Sequence, residues 1–116
     1  MSGIVFFKTK NLNRLREFYT NHIGCNIWLE QADCLIFKHG NMLLGFCERE
    51  QIDRCGIITF FYDSKKAVDE MHEKLKSIAI SPPMENAKYR IYNFFAVDPD
   101  GRQIEFQWFM DGADEI

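Results

Sequence analysis

The stretch Asp98-Pro99-Asp100-Gly101-Arg102-Gln103-Ile104-Glu105-Phe106 decides the fold. Asp-Pro-Asp-Gly is a tight turn: Pro99 presets φ, the aspartates can hydrogen-bond nearby backbone, and Gly101 tolerates positive φ. The residues that follow alternate. Gln103, Glu105 and Gln107 fall on one face, Ile104, Phe106 and Trp108 on the other. A period of two marks a half-buried strand. Glu105 therefore stands in mid-strand, on the face turned away from the core.

Working outward, Gly3-Ile4-Val5-Phe6-Phe7 is echoed by Gly56-Ile57-Ile58-Thr59-Phe60-Phe61, and a helical pattern follows each. The first helix is expected from Asn11, with Leu12, Leu15, Phe18 or Tyr19, and Ile23 on its apolar side and Gly24 as its stop. The second is expected after Ser64 as N-cap, burying Ala67, Val68, Met71, Leu75 and Ile78. Strand patterns cover residues 27–30, 34–38 and 42–47, with Gly40-Asn41 as a two-residue hairpin turn between the last two. In the second half Pro82-Pro83 restricts its neighbourhood to an edge or irregular strand, and strands follow over 89–97 and 103–108. Strand, helix and three strands thus occur twice, as two modules that each need to bury a sheet face. We read residues 1–116 as one domain, with modules at about 3–48 and 56–110 and a linker at about 49–55.

Composition bounds the function. Of the 116 residues 47% are apolar and 27% charged, ordinary for a globular protein, but eleven Phe point to an aromatic core and an aromatic-lined cleft. A net charge of −3 argues against a nucleic-acid partner. No apolar run reaches the length of a membrane span, and Met1-Ser2-Gly3 leads directly into a strand rather than a signal sequence. The expected location is the cytoplasm, with Cys25, Cys34, Cys47 and Cys55 as reduced thiols.

The Asp-Pro-Asp-Gly turn with Ile104-Glu105-Phe106 resembles the closing hairpin of the vicinal oxygen chelate superfamily, which includes glyoxalase I, bleomycin-resistance proteins and extradiol dioxygenases. Asn11-Leu12, Arg16-Glu17-Phe18-Tyr19 and Ile23-Gly24 are similar to that family's first-helix signature. The resemblance implies an α+β fold: two βαβββ modules forming a cupped mixed sheet with helices on the convex side. It also implies a homodimer and a small-molecule ligand. Its metal-ligand positions fall on Ile4, on Gly45 or its neighbour Phe46, on Ile57 and on Glu105. Only Glu105 is a donor, and one carboxylate cannot replace the shell of oxygen or imidazole ligands that a hard divalent cation needs. The expectation is therefore no metal cofactor, with Glu105 as a ligand only if a divalent metal is present. His22, His39 and His72 read as surface residues.

The cleft implied by this alignment is lined in the first module by Ile4, Phe6, Gly45 and Cys47. In the second it is lined by Ile57, Thr59, Phe61 and Gln107, around Glu105. Apolar and aromatic walls with few polar groups are the usual make-up of a small-molecule site. Glu105 is the candidate catalytic residue, as a general base or as the anchor of a cationic ligand. The alternative is a structural carboxylate paired with Arg90, Arg102 or a lysine.

Across a two-residue Gly40-Asn41 turn, facing residue numbers sum to 81, which sets Cys34 opposite Cys47 and Ile36 opposite Gly45. Both thiols then share the cleft face, with Leu35, Phe37, Leu44 and Phe46 against the helix. They are either two inert buried cysteines or a pair able to hold a soft metal or act in redox chemistry. The functional expectation is a metal-free protein that binds a small aromatic or amphipathic molecule. The alternatives are a metal-dependent lyase, isomerase or dioxygenase, and a non-catalytic interaction module.

Overall fold

The computed structural model describes residues 1–116. The chain divides into two compact units, Met1–Arg54 and Cys55–Ile116. In the first, β1 (Ile4–Thr9) leads to α1 (Leu12–Glu17) and a π-helical turn (Phe18–Ile23). Strands β2 (Asn26–Glu30), β3 (Cys34–His39) and β4 (Met42–Glu48) follow. The sheet order is β1-β4-β3-β2, with β1 parallel to β4 and the other pairs antiparallel.

The Asn11 side chain caps α1 by accepting from the Arg14 N–H at 3.2 Å, which satisfies one of the orphan donors of the first turn. Gly24, at φ 89°, stops the helical segment as expected. Phe18 and Tyr19 are both buried, where helical spacing allowed one of them. The wider π turn rotates the chain less per residue, so sequence neighbours share a side. Tyr19 then packs with ring centroids 5.1 Å from Phe46 and 5.5 Å from Phe37, over the buried Leu35 and Leu44. Each such side chain contributes about 1.5–3 kcal/mol by leaving water.

The second unit repeats the pattern with β5 (Ile58–Tyr62), α2 (Lys65–Lys74), β6 (Met84–Asn86), β7 (Ile91–Val97) and β8 (Gln103–Phe109), in sheet order β5-β8-β7-β6. The Ser64 hydroxyl caps α2 by accepting from the Ala67 N–H at 3.1 Å. Val68 and Leu75 are fully buried, while Ala67, Met71 and Ile78 are half-buried. Phe106 stacks on Phe60 at 5.5 Å and on Phe94 at 5.0 Å, forming the core between α2 and its sheet. After Pro82-Pro83, β6 is a three-residue edge strand, as the prolines require. Each unit is thus a βαβββ module with its helix against one face of a mixed sheet, an α+β fold.

Three strand starts differ from the sequence reading, β2 by a single residue, at Asn26 rather than 27. β5 begins at Ile58, leaving Ile57 outside the ladder and 50% exposed. β7 begins at Ile91 rather than at 89, because Arg90 adopts the left-handed conformation (φ 55°), which breaks an extended ladder. The Asp-Pro-Asp-Gly turn forms as read, with Gly101 at φ 79°. Asp98 Oδ1 accepts from the N–H groups of Asp100 and Arg102, both at 2.9 Å, and Asp98 Oδ2 accepts from Arg102 Nη1 at 2.6 Å. The side chains of Asp98 and Arg102 are wholly buried, so the turn is held from inside by an ion pair.

Candidate functional site

Glu105 lies at the centre of the second sheet, opposite Thr59 on the parallel strand β5 and Phe95 on the antiparallel strand β7. Residues that pair directly share a face, so Thr59, Phe61, Phe95, Glu105 and Gln107 all look away from α2. Asn93, opposite Gln107, joins them. Thr59 Oγ1 donates to Glu105 Oε1 at 2.7 Å, and Asn93 Nδ2 donates to Glu105 Oε2 at 2.6 Å. Both carboxylate oxygens thus accept from neutral groups, on a half-buried face with two aromatic rings.

This arrangement corrects the ion-pair reading of Glu105. Arg90 is turned outward by its left-handed backbone and binds Asp111, donating at 3.0 and 3.1 Å. Arg102 is committed to Asp98, with Asp100 at 3.5 Å. It also corrects the wall assigned to Ile57: the β5 residue beside Glu105 is Thr59, two positions on. Asn93 and Phe95 escaped the sequence reading. Counting pairs back through the turn from Asp98 and Arg102, whose numbers sum to 200, places Asn93 beside Gln107 and one diagonal step from Glu105. That signal was present in the sequence.

In the first sheet Phe6 pairs with Gly45 and Ile4 with Leu43. A Cβ on Gly45 would come 2.4 Å from Phe6 Cδ1, so the aromatic ring lies on bare glycine backbone. Cys34 and Cys47 face each other as the sum rule requires, but they form a disulfide. The expectation of reduced thiols is thereby corrected for these two cysteines. Their Cα atoms are 4.0 Å apart, the close approach of a non-hydrogen-bonded pair on antiparallel strands. Cys25 and Cys55 are free, the first buried, the second exposed. Burial pushes the Cys25 thiol up to about 12.

Of the expected cleft residues, Ile4, Phe6, Cys47 and Phe61 border cavities. Ile4 lines a cavity of about 570 Å³ with Trp28, Lys38 and Leu43, and Phe6 and Cys47 line one of about 310 Å³. In the second module Phe61 lines one of about 570 Å³ with Trp108 and Phe109. Of the histidines, His22 is exposed and stacks on Phe18 at 5.5 Å. His39 and His72 are half-buried rather than on the surface. Burial lowers the His39 pKa, and His72 packs edge-on against Phe94 at 5.0 Å. No three His, Cys, Asp or Glu side chains are grouped so as to hold a metal ion. No helix is long and apolar enough to cross a membrane.

No protein-family model matches the sequence, and no curated protein matches it. Solved structures do match the fold. A glyoxalase/bleomycin resistance protein/dioxygenase from Nocardioides is 16% identical with a TM-score of 0.77, over 100% of this chain and 87% of that one. A lactoylglutathione lyase from Agrobacterium tumefaciens is 18% identical with a TM-score of 0.78, over 98% of this chain and 97% of that one. The fold is that of the vicinal oxygen chelate superfamily. A third structure, the fosfomycin resistance protein FosX from Listeria monocytogenes, is 18% identical with a TM-score of 0.77, over 93% of each chain. At these identities the likeness is one of fold, and function has to be argued from the site.

Proposed function

We propose that this protein binds a small aromatic or amphipathic molecule without a metal, through the vicinal oxygen chelate fold. The observation that carries this reading is the setting of Glu105, whose two oxygens accept from the neutral Thr59 and Asn93. At the other positions that the superfamily resemblance gives to metal ligands stand Ile4, Gly45 and Ile57, none of which offers a donor side chain. The Phe6 ring covers Gly45 as well. These residues do not fit a divalent cation, which needs several oxygen or imidazole ligands.

What the face around Glu105 offers instead is a negatively charged acceptor between the rings of Phe61 and Phe95, with Thr59, Asn93 and Gln107 as orienting polar groups. A carboxylate oxygen has lone pairs beyond the single bond each accepts here, so it can take an amine or hydroxyl from a ligand. An aromatic compound with such a donor matches both features, its ring against the phenylalanines and its donor on Glu105. Self-association belongs to the same reading, because the edge strand β2 exposes Ile27, Trp28 and Leu29.

The test is a thermal-shift screen of aromatic amines and phenols, with and without divalent metal, followed by calorimetry on the wild type and Glu105→Ala. Binding that ignores added metal and weakens in Glu105→Ala supports the proposal. A stoichiometric transition metal bound through Glu105 and lost in Glu105→Ala overturns it. So does metal-dependent turnover of the methylglyoxal–glutathione adduct or a catechol.

A further inference from the structure

The Cys34–Cys47 bond joins β3 and β4 at a place where the chain does not need it. Glu48 N donates to Asp33 O at 2.7 Å, which makes 33/48 a hydrogen-bonded pair and 34/47 the adjacent close, non-bonded pair. The register holding the two sulfurs together is set by the Gly40-Asn41 turn and by Leu35 and Phe46, paired next to the cysteines and buried in the aromatic core. With the bridge opened, that ladder and that core remain. Two thiols would face each other in the same place.

The two sulfurs differ in access. Both border the cavity of about 310 Å³ shared with Phe6, Lys8, Gln31, Arg49 and Asp53, but Cys34 is 8% exposed whereas Cys47 is half-buried. Asp33 Oδ1 lies 3.4 Å from Cys34 Sγ, and Arg49 Nη1 binds Asp33 Oδ2 at 2.9 Å. Arg49 therefore offsets the carboxylate charge beside Cys34, so a thiolate leaving there is not opposed by a bare anion. Accessible disulfides are the ones that exchange readily with small thiols, in contrast to bridges sealed in a core.

We infer that Cys34 and Cys47 form a reversible thiol–disulfide exchange site whose co-reactant is a small thiol. The incoming thiolate attacks Cys47 Sγ, the Cys34–Cys47 bond breaks, and its electron pair passes to Cys34, which takes up a proton. A second thiol attacks the outer sulfur of the mixed disulfide and releases Cys47 as a thiol. In sum, the protein disulfide and two small thiols give two cysteine thiols and one small disulfide, and the reverse reaction re-forms the bridge. Cys47 shares its sheet face with Phe6 and Gly45, so the exchange changes the chemistry of that face of the first module.

The experiment uses the full chain with Cys55→Ser, to remove the exposed free thiol. Native protein is equilibrated in mixtures of reduced and oxidised glutathione, quenched with iodoacetamide and read by mass spectrometry, with far-UV circular dichroism on the same samples. The expected result is a two-electron transition of Cys34 and Cys47 together, with an unchanged dichroism spectrum. Adding Cys34→Ser should give a glutathione mixed disulfide at Cys47 at least about tenfold faster than adding Cys47→Ser gives one at Cys34, since rate follows access. The wild-type transition keeps the question decidable if either serine variant misfolds. A bridge that opens only in denaturant, or whose opening unfolds the chain, is a structural staple and overturns the inference. Equal rates in the two single variants overturn the assignment of Cys47 as the attacked sulfur.

Discussion

Asn93 reaches one diagonal step across the β7–β8 ladder to donate to Glu105 at 2.6 Å. With Thr59 on the other side, the carboxylate is held by two neutral donors. This arrangement predicts the behaviour of Glu105→Gln. The Asn93 amide can turn to present its oxygen, and the Thr59 hydroxyl can either donate or accept, so both partners accommodate a glutamine. The expected loss of stability is about 1 kcal/mol or less by urea titration, the scale of one neutral hydrogen bond. Glu105→Ala leaves two half-buried donors unanswered and should cost about 1–3 kcal/mol. Affinity for a donor-bearing aromatic ligand should fall in both variants. Severe unfolding of Glu105→Gln with unchanged ligand binding would make Glu105 a structural residue only.

The closing turn carries a larger penalty. Asp98→Asn keeps an oxygen for the backbone N–H groups but removes the charge opposite the wholly buried Arg102. Loss of one partner of a buried ion pair typically costs about 3–5 kcal/mol. Asp100, 3.5 Å from Arg102, takes up part of the uncompensated charge, which sets the expectation at the lower end of that range. Urea denaturation of Asp98→Asn against the wild type measures it. A loss near zero would mean that the pair contributes nothing net.

A third prediction concerns Phe6 and Gly45. In Gly45→Ala the added methyl would overlap the Phe6 ring, and crowding of this kind costs about 1–3 kcal/mol. Phe6 is half-exposed, so its ring can swing outward and relieve part of the overlap. Combining Gly45→Ala with Phe6→Ala should remove the penalty, giving a coupling of about 0.5–3 kcal/mol in a double-mutant cycle. Additive effects would show that the ring does not rest on the glycine in solution.

How far the sequence led can be traced through the same residues. The alternation from Gln103 to Trp108, the helix start at Asn11, the cap Ser64 and the Gly40-Asn41 turn are local signals, and each forms close to where it was read. The pairing of Cys34 with Cys47 followed from that turn by counting. The disulfide did not follow, because bond formation depends on sulfur approach and redox conditions, which register alone leaves open. Ile57 was misplaced because alternation gives the faces of a strand but not its first residue. Asn93 was missed because contacts of Glu105 with β5 and β7 are long-range. They appear only when register is carried through the turn. The buried Arg102 defied its composition, since an arginine is sealed in a core only when carboxylates such as Asp98 and Asp100 accompany it.

Tyr92 predicts a pH dependence. Burial, and then the hydrogen bond it donates to Asp69 at 2.5 Å, push its phenol up from 10.0 to about 12. The folded-state value lies above the unfolded one, so the protonated phenol is the form that folding favours. Its contribution is fully present below pH 10.0 and is lost as pH rises towards about 12. Tyr92→Phe should flatten the fall of stability across that window while costing about 1 kcal/mol at neutral pH for the lost hydrogen bond. Denaturant titrations of both proteins at several alkaline pH values provide the comparison. Equal slopes would show that Tyr92 titrates normally.

The free cysteines give the last prediction. Cys25 is 4% exposed and burial raises its thiol to about 12, so almost none of it is thiolate at neutral pH. Cys55 is exposed and not bonded. Because the thiolate is the nucleophile, iodoacetamide on the native, non-reduced protein should modify Cys55 and leave Cys25 untouched. Mass spectrometry should then find one adduct per chain at Cys55, and Cys25 should react only after denaturation. Local opening of the segment that holds Cys25, between the π turn and β2, would give slow labelling there with the rest of the chain still folded. Rapid native labelling of Cys25 would mean that its thiol reaches solvent, contrary to the packing described above.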